Sequence, residues 1–172
     1  YKEFGQKCGI PIKTAKYSTE DGTFNSDNEY LTIINTAAVK RMDLLEYYDS
    51  RKNILDIERS TLFLLADELK RFKKEKGLKD FNDLIEDFIK KETLNKFEVL
   101  FIDEAQDLSL IQWEMVRKIW SRAEKTYIAG DDDQAIFKWA GADVDHFIAL
   151  KEEVNDIKVL DQSYRIPGGP IH

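Results

Sequence analysis

Apolar residues recur at helical spacing through the first half of the chain. Leu62, Leu65, Ala66, Leu69 and Phe72 share one helix face, and Gly77 follows as a stop. A second amphipathic stretch begins at Asp80, a residue suited to cap a helix, and carries Phe81, Leu84, Ile85, Phe88 and Ile89 on one face. Val39 to Tyr48 predicts a third helix, and the polar, turn-rich residues 18–29 predict a loop. Beyond residue 95 the pattern changes. Val99-Leu100-Phe101-Ile102 is a short continuous apolar run, as expected of a strand buried on both faces. Ser109 with Gln112 three residues later forms a capping box that opens a helix carrying Trp113, Val116, Ile119 and Trp120. Tyr127-Ile128-Ala129 and Ile157-Lys158-Val159-Leu160 predict two more short buried strands. Strand, helix, strand, helix, strand is the order of an α/β fold with a parallel sheet. The expected division is a helical part over 1–95 and an α/β part over 96–172.

Composition narrows the classes. The chain has 172 residues, 42% of them hydrophobic and 34% charged, with 8 Gly and 3 Pro, which excludes collagen-like and wholly disordered chains. No apolar run approaches the ~20 residues of a membrane span. The single Cys8 makes no internal disulfide, and no Cys/His cluster suits zinc. A cytoplasmic, intracellular protein without a membrane partner is the expectation. The chain opens at Tyr1 and ends in Gly168-Gly169-Pro170-Ile171-His172, so it reads as a piece of a longer polypeptide. Residues 1–95 carry 17 Lys+Arg against 18 Asp+Glu, and residues 96–172 carry 9 against 15, so the net charge of −7 lies mostly in the second part. That balance argues against coating duplex DNA by bulk charge, yet it leaves room for a groove that stacks single-strand bases. The basic run Lys70-Arg71-Phe72-Lys73-Lys74-Glu75-Lys76 reads first as a solvated helix end complementing the dipole, and second as a phosphate contact.

Polar residues gather just after each predicted strand, where open α/β sheets bind ligands. These clusters are Asp103-Glu104-Ala105-Gln106-Asp107, Gly130-Asp131-Asp132-Asp133-Gln134 and Asp161-Gln162-Ser163-Tyr164-Arg165. Each alone fits an acidic loop, a turn or a helix cap. Three on successive strands point to phosphate chemistry. A strand-end carboxylate can hold Mg²⁺, a neighbouring one can deprotonate a water, an amide can sense a γ-phosphate, and an Arg can neutralise developing charge. Asp103, Glu104, Gln134 and Arg165 supply one of each.

At these residues the chain resembles the superfamily 1 DNA helicases of the UvrD/Rep/PcrA type. Residues 101–107 (Phe-Ile-Asp-Glu-Ala-Gln-Asp) resemble their Walker B segment, motif II. Residues 128–142 (Ile-Ala-Gly-Asp-Asp-Asp-Gln-Ala-Ile-Phe-Lys-Trp-Ala-Gly-Ala) resemble motif III, and Gln162-Ser163-Tyr164-Arg165 resembles motif IV. Asp80-Phe81-Asn82-Asp83-Leu84-Ile85 is similar to the Asp-Phe-x-Asp-Leu stretch that precedes motif II in this family. The resemblance implies a partial RecA-like sheet of the P-loop NTPase type in subdomain 1A, behind a helical 1B-like subdomain. It implies ATP and Mg²⁺ as cofactors, with Asp103 and Glu104 at the metal and Glu104 as the catalytic base. By the same resemblance Gln134 links the γ-phosphate to the DNA site, Arg165 is an arginine finger and Tyr164 stacks near the adenine. Trp139, with Phe137 beside it, would stack on a single-strand base; burial of Trp139 in the core is the less favoured alternative. The implied partners are single-stranded DNA and single/double-strand junctions, with 3′ to 5′ movement and roles in DNA repair or replication.

Three positions depart from the usual family residues: Ala140 for Arg, Ala135 for Ser and Ser163 for Asn. None removes a hydrolytic group. No G-x-x-x-x-G-K-[ST] phosphate loop occurs in the 172 residues. The Walker A segment is therefore expected upstream in the parent chain and domain 2 downstream, and the isolated fragment is expected to be inactive. Three other readings stand beside this one. They are a RecB/AddA-type subunit of a nuclease–helicase, a degenerate helicase domain kept as a DNA-binding module, and a nucleotide-binding domain unrelated to helicases.

Overall fold

The structure is a computed structural model that describes residues 1–17, 24–53, 57–135 and 142–160. The helical part comprises α1 (Lys2–Cys8), α2 (Glu29–Val39), α3 (Leu44–Arg51), α4 (Arg59–Lys76) and α5 (Phe81–Lys90), with a small hairpin of β1 (Ala15–Tyr17) and β2 (Phe24–Ser26). The second part comprises β3 (Phe97–Ile102), α6 (Leu110–Trp120), β4 (Ala123–Ile128) and α7 (Val144–Ala149). The chain is α/β, and its parallel sheet pairs β3 with β4.

Caps explain most boundaries. Gly77 sits at φ 61, and its neighbour Leu78 donates its N–H to the Lys73 carbonyl at 2.9 Å, closing α4 in a left-handed cap. Asp80 and Asp83 cap α5 reciprocally: Asp83 N–H donates to Asp80 at 3.0 Å and Asp80 N–H donates to Asp83 at 2.9 Å. Gln112 accepts from Ser109 N–H at 2.8 Å at the start of α6. The helix expected over 39–48 is instead the end of α2, a turn and the start of α3. Arg41 turns the backbone to φ 54, and Asp43 then accepts from Leu45 N–H at 2.8 Å, satisfying a donor that a continuous helix would have used. The loop expected over 18–29 is also corrected where described, since Phe24–Ser26 pairs with β1 and Asn28 caps α2 by accepting from Leu31 N–H at 3.1 Å.

α2 lies at the centre of the packing. Its Leu31 joins Phe4, Leu65, Leu69 and Phe72, while Ile33 and Ala37 join Tyr47 and Leu62. Val39 meets Ile85 of α5 and Ile111 of α6, so the helical part and the α/β part share one cluster. Above that cluster the Arg41 guanidinium donates to Glu114 at 2.6 and 2.8 Å and pairs with Glu86. Basic groups near the end of α4 are engaged within the protein: Lys73 with Asp80 and Asp83 at 2.9 and 2.7 Å, and Lys76 with Glu3 at 2.8 Å.

Among the described residues the sheet is covered on one face only. Leu100 and Ile102 point to a core of Ala105, Trp113, Val116 and Leu150. The alternate residues Phe97, Val99 and Phe101, with Tyr127 of β4, lie exposed, and Phe101 and Tyr127 stack at 5.2 Å. The expected burial on both faces therefore holds on one, because α6 packs on that side alone. The strand expected at 157–160 does not form: Val159 and Leu160 are 73% and 80% exposed, and no strand among the described residues pairs with them. A strand needs a hydrogen-bonded neighbour, and β4 has β3 as its only partner among the described residues.

Candidate active site

β3 and β4 run parallel with Ile102 beside Ile128, so both strands end at the same edge of the sheet. The clusters that follow them meet there. Ala129 N–H donates to the Ile102 carbonyl at 2.8 Å and Ala105 N–H to the Ala129 carbonyl at 3.0 Å, which extends the pairing into the two loops. Asp103 and Glu104 stand exposed at this edge, and Glu104 N–H donates to Asp103 Oδ1 at 2.9 Å. Glu104 holds φ 50 and ψ 40, a left-handed conformation rare outside glycine. Strain of that kind concentrates at functional sites.

The second loop is organised by Asp131. Its Oδ1 accepts from Asp133 N–H at 3.1 Å, its carbonyl accepts from Gln134 N–H at 3.1 Å, and its Oδ2 accepts from the Gln134 side-chain amide. Gln106 joins the loops. It is 1% exposed, donates through Nε2 to Glu104 Oε2 at 2.8 Å and accepts at Oε1 from Asp131 N–H at 2.9 Å. Gly130 makes this approach possible, because a Cβ there would sit 2.7 Å from Gln106 Oε1 and 2.7 Å from the Phe147 ring.

α7 supports the site from behind. Asp143 N–H donates to the Leu108 carbonyl at 3.0 Å, and Ala142 bridges to Ser109. His146 lies 5.0 Å from the Trp113 ring, and burial together with the adjacent Arg117 guanidinium holds its pKa below the ordinary histidine value. Arg117 is itself paired with Glu153 at 2.8 Å.

The structure thus brings Asp103, Glu104 and Gln134 to one edge. Phe137 and Trp139, and Tyr164 and Arg165 of the third cluster, lie outside the described residues. Gln106, Gly130 and Asp131 escaped assignment from the sequence, although each stands within a cluster singled out there. The missing signal was pairing across the two loops, which composition does not carry. For Mg²⁺ the donor set fits: the ion takes hard oxygen ligands, keeps several waters and is held by one or two carboxylates with nucleotide phosphates. Asp103 and Glu104 are two adjacent exposed carboxylates at the strand edge.

The fold agrees with what the chain is similar to. The UvrD/REP helicase N-terminal domain matches residues 7–155. The chain belongs to the UvrD/Rep helicase family. The ATP-dependent DNA helicase Rep of Escherichia coli (strain K12) is 33% identical over 100 residues, 52% of this chain and 15% of that protein. The ATP-dependent DNA helicase PcrA of Bacillus subtilis (strain 168) is 33% identical over 111 residues, 58% of this chain and 15% of that protein. The RecBCD enzyme subunit RecB of Buchnera aphidicola subsp. Acyrthosiphon pisum is 27% identical over 173 residues, 88% of this chain and 15% of that protein. The chain therefore spans about one-seventh of these relatives' length. None of its described helices is long and apolar enough to cross a membrane.

Proposed function

We propose that the parent protein is an ATP-driven DNA helicase or translocase, moving 3′ to 5′ on single strands. This chain would supply the hydrolytic edge of its first motor domain. The observation that carries the reading is the meeting of Asp103-Glu104 with the Asp131–Gln134 loop at the C-terminal edge of a parallel sheet. In this reading Asp103 and Glu104 hold the Mg²⁺ of bound ATP, which would neutralise phosphate charge, and Glu104 takes the proton of the attacking water. Gln134 reports the γ-phosphate to the DNA side, Arg165 neutralises charge that develops during transfer, and Tyr164 stacks near the adenine. Trp139 and Phe137 stack on bases of the single strand. Residues 1–95 form the 1B-like helical subdomain and 96–172 part of subdomain 1A, acting at single/double-strand junctions inside the cell. The bare face of β3 and β4 supports a parent in which further chain, including the phosphate-binding segment, packs against this sheet.

The test is ATP hydrolysis by the full parent polypeptide with and without single-stranded DNA. Single strands are expected to stimulate hydrolysis strongly. Glu104→Gln should abolish it by at least about 10²-fold, the size of a lost general base. Trp139→Ala should retain basal hydrolysis and lose stimulation, and the isolated 172-residue chain should show no turnover above its Glu104→Gln control. Stimulated hydrolysis that survives Glu104→Gln would sink the assignment of the base.

A second reading has its own support. The similarity to RecB spans 88% of this chain, more than the Rep and PcrA matches do, which favours a nuclease–helicase subunit. DNA cleavage by the parent, dependent on ATP and lost when its downstream region is removed, would decide for it.

A further inference from the structure

Gln106 hydrogen-bonds to Glu104 in its own loop and to Asp131 in the other, and is itself almost wholly buried. We infer that Gln106 is a positioning residue that fixes the Glu104 carboxylate to the Asp131 backbone, so that the loop carrying Gln134 sets where Glu104 points. The inference rests on the hydrolytic role proposed above for Glu104 and adds a residue and a linkage to it.

The geometry leaves the amide one orientation. Asp131 N–H is a donor and must meet Oε1, which turns Nε2 towards the Glu104 carboxylate, an acceptor only. The reverse orientation would set donor against donor and acceptor against acceptor. A continuous path results: Glu104 Oε2 accepts from Gln106, Gln106 accepts from Asp131 N–H, and the Asp131 carboxylate accepts from the Gln134 side chain. Bonds in such a path, shielded from water at its centre, reinforce one another. Glu104 is exposed and held in a left-handed backbone conformation, and among the described residues Gln106 is the donor that directs its side chain. The Gln106 amide oxygen and the Phe147 ring both crowd the space that a Cβ on Gly130 would fill. A shift of the 130–134 loop therefore moves the acceptor of the Gln106 amide, and with it the donor that orients Glu104.

In the full parent, Gln106→Met keeps the approximate volume and removes both hydrogen bonds. The expected result is a kcat for DNA-stimulated hydrolysis lower by about 10²-fold, as for a misplaced reacting group. KM for ATP and single-strand affinity should stay unchanged. In a Glu104→Gln background the same substitution should cause no further loss of single-turnover rate, because the group it orients is gone. A merely structural residue would lower both backgrounds by the same factor. Gly130→Ala leaves Gln106 intact but sets a Cβ 2.7 Å from its Oε1 and from the Phe147 ring; displacement of the amide should reproduce the kcat loss, which carries the test if Gln106→Met fails to fold. Unaltered kcat in the folded variants, or equal fold-losses in both backgrounds, overturns this inference alone. A parent with no DNA-stimulated hydrolysis before any substitution overturns the helicase reading and this inference with it.

Discussion

Glu104 holds φ 50 and ψ 40 at the end of β3, where a side chain meets the following backbone at a cost of about 1–2 kcal/mol. This conformation predicts a reversal of the usual order of small residues. At an ordinary position alanine is better than glycine by about 0.5–1 kcal/mol. At this one Glu104→Gly should be more stable than Glu104→Ala by about 1 kcal/mol, read from urea-denaturation midpoints. An alanine variant as stable as the glycine variant would mean that the left-handed turn is not kept in solution. The candidate chemistry at this scale was legible from residue type, since Asp103, Glu104 and Gln134 stand in clusters after apolar runs. The contact that organises them was not. Gln106 and Asp131 are 25 residues apart, and their hydrogen bond exists only once β3 and β4 pair in parallel register.

Among the elements, the junction of α4 and α5 has the clearest pH signature. Burial would raise the Asp80 pKa, but the Asp83 N–H, the Lys73 ammonium and the Tyr1 hydroxyl together outweigh it and hold the carboxyl below its ordinary value. Folding therefore favours the ionised form. The resulting stability is fully present above the unfolded value of 3.8 and is lost as pH falls through the lowered folded value. Asp80→Asn keeps a capping side chain but removes the charge. It should cost about 2 kcal/mol at neutral pH, the scale of hydrogen bonds to a charged group. The gap to the wild type should close in acid well below pH 3.8. A gap that stayed constant into acid would show that the Asp80 charge contributes nothing. The caps at Asp80 and Ser109 were readable because each uses a partner three residues away. The break between α2 and α3 was missed because Val39 to Tyr48 keeps an apolar face across it, while Arg41 and Asp43 redirect the backbone.

At the scale of the whole molecule, the sheet stands half dressed. Phe101 is 75% exposed, stacked on Tyr127 and otherwise turned to water. In the isolated 172-residue chain Phe101→Thr should cost about 1 kcal/mol, the worth of an aromatic pair. In the parent, where further chain is proposed to cover this face, the same change should cost about 3–5 kcal/mol, as for a truncated core aromatic. Equal small costs in both, measured by denaturant unfolding, would show that nothing covers Phe101 in the parent.

The sequence by itself determined α4 and α5, the order β3–α6–β4, and which residue types gather at the strand ends. All of these depend on spacing within a few residues along the chain, through helical periodicity, caps and short apolar runs. Tertiary structure alone decided the rest. Ile157 to Leu160 has strand composition but no strand beside it among the described residues, and it stays exposed, because backbone pairing depends on a neighbour and not on propensity. The basic end of α4, legible as charge, found its carboxylates on α1 and α5 only through packing. The link from Glu104 to Gln134 arose in the same way, since a buried amide must satisfy both of its ends and parallel strands bring two distant loops within its reach.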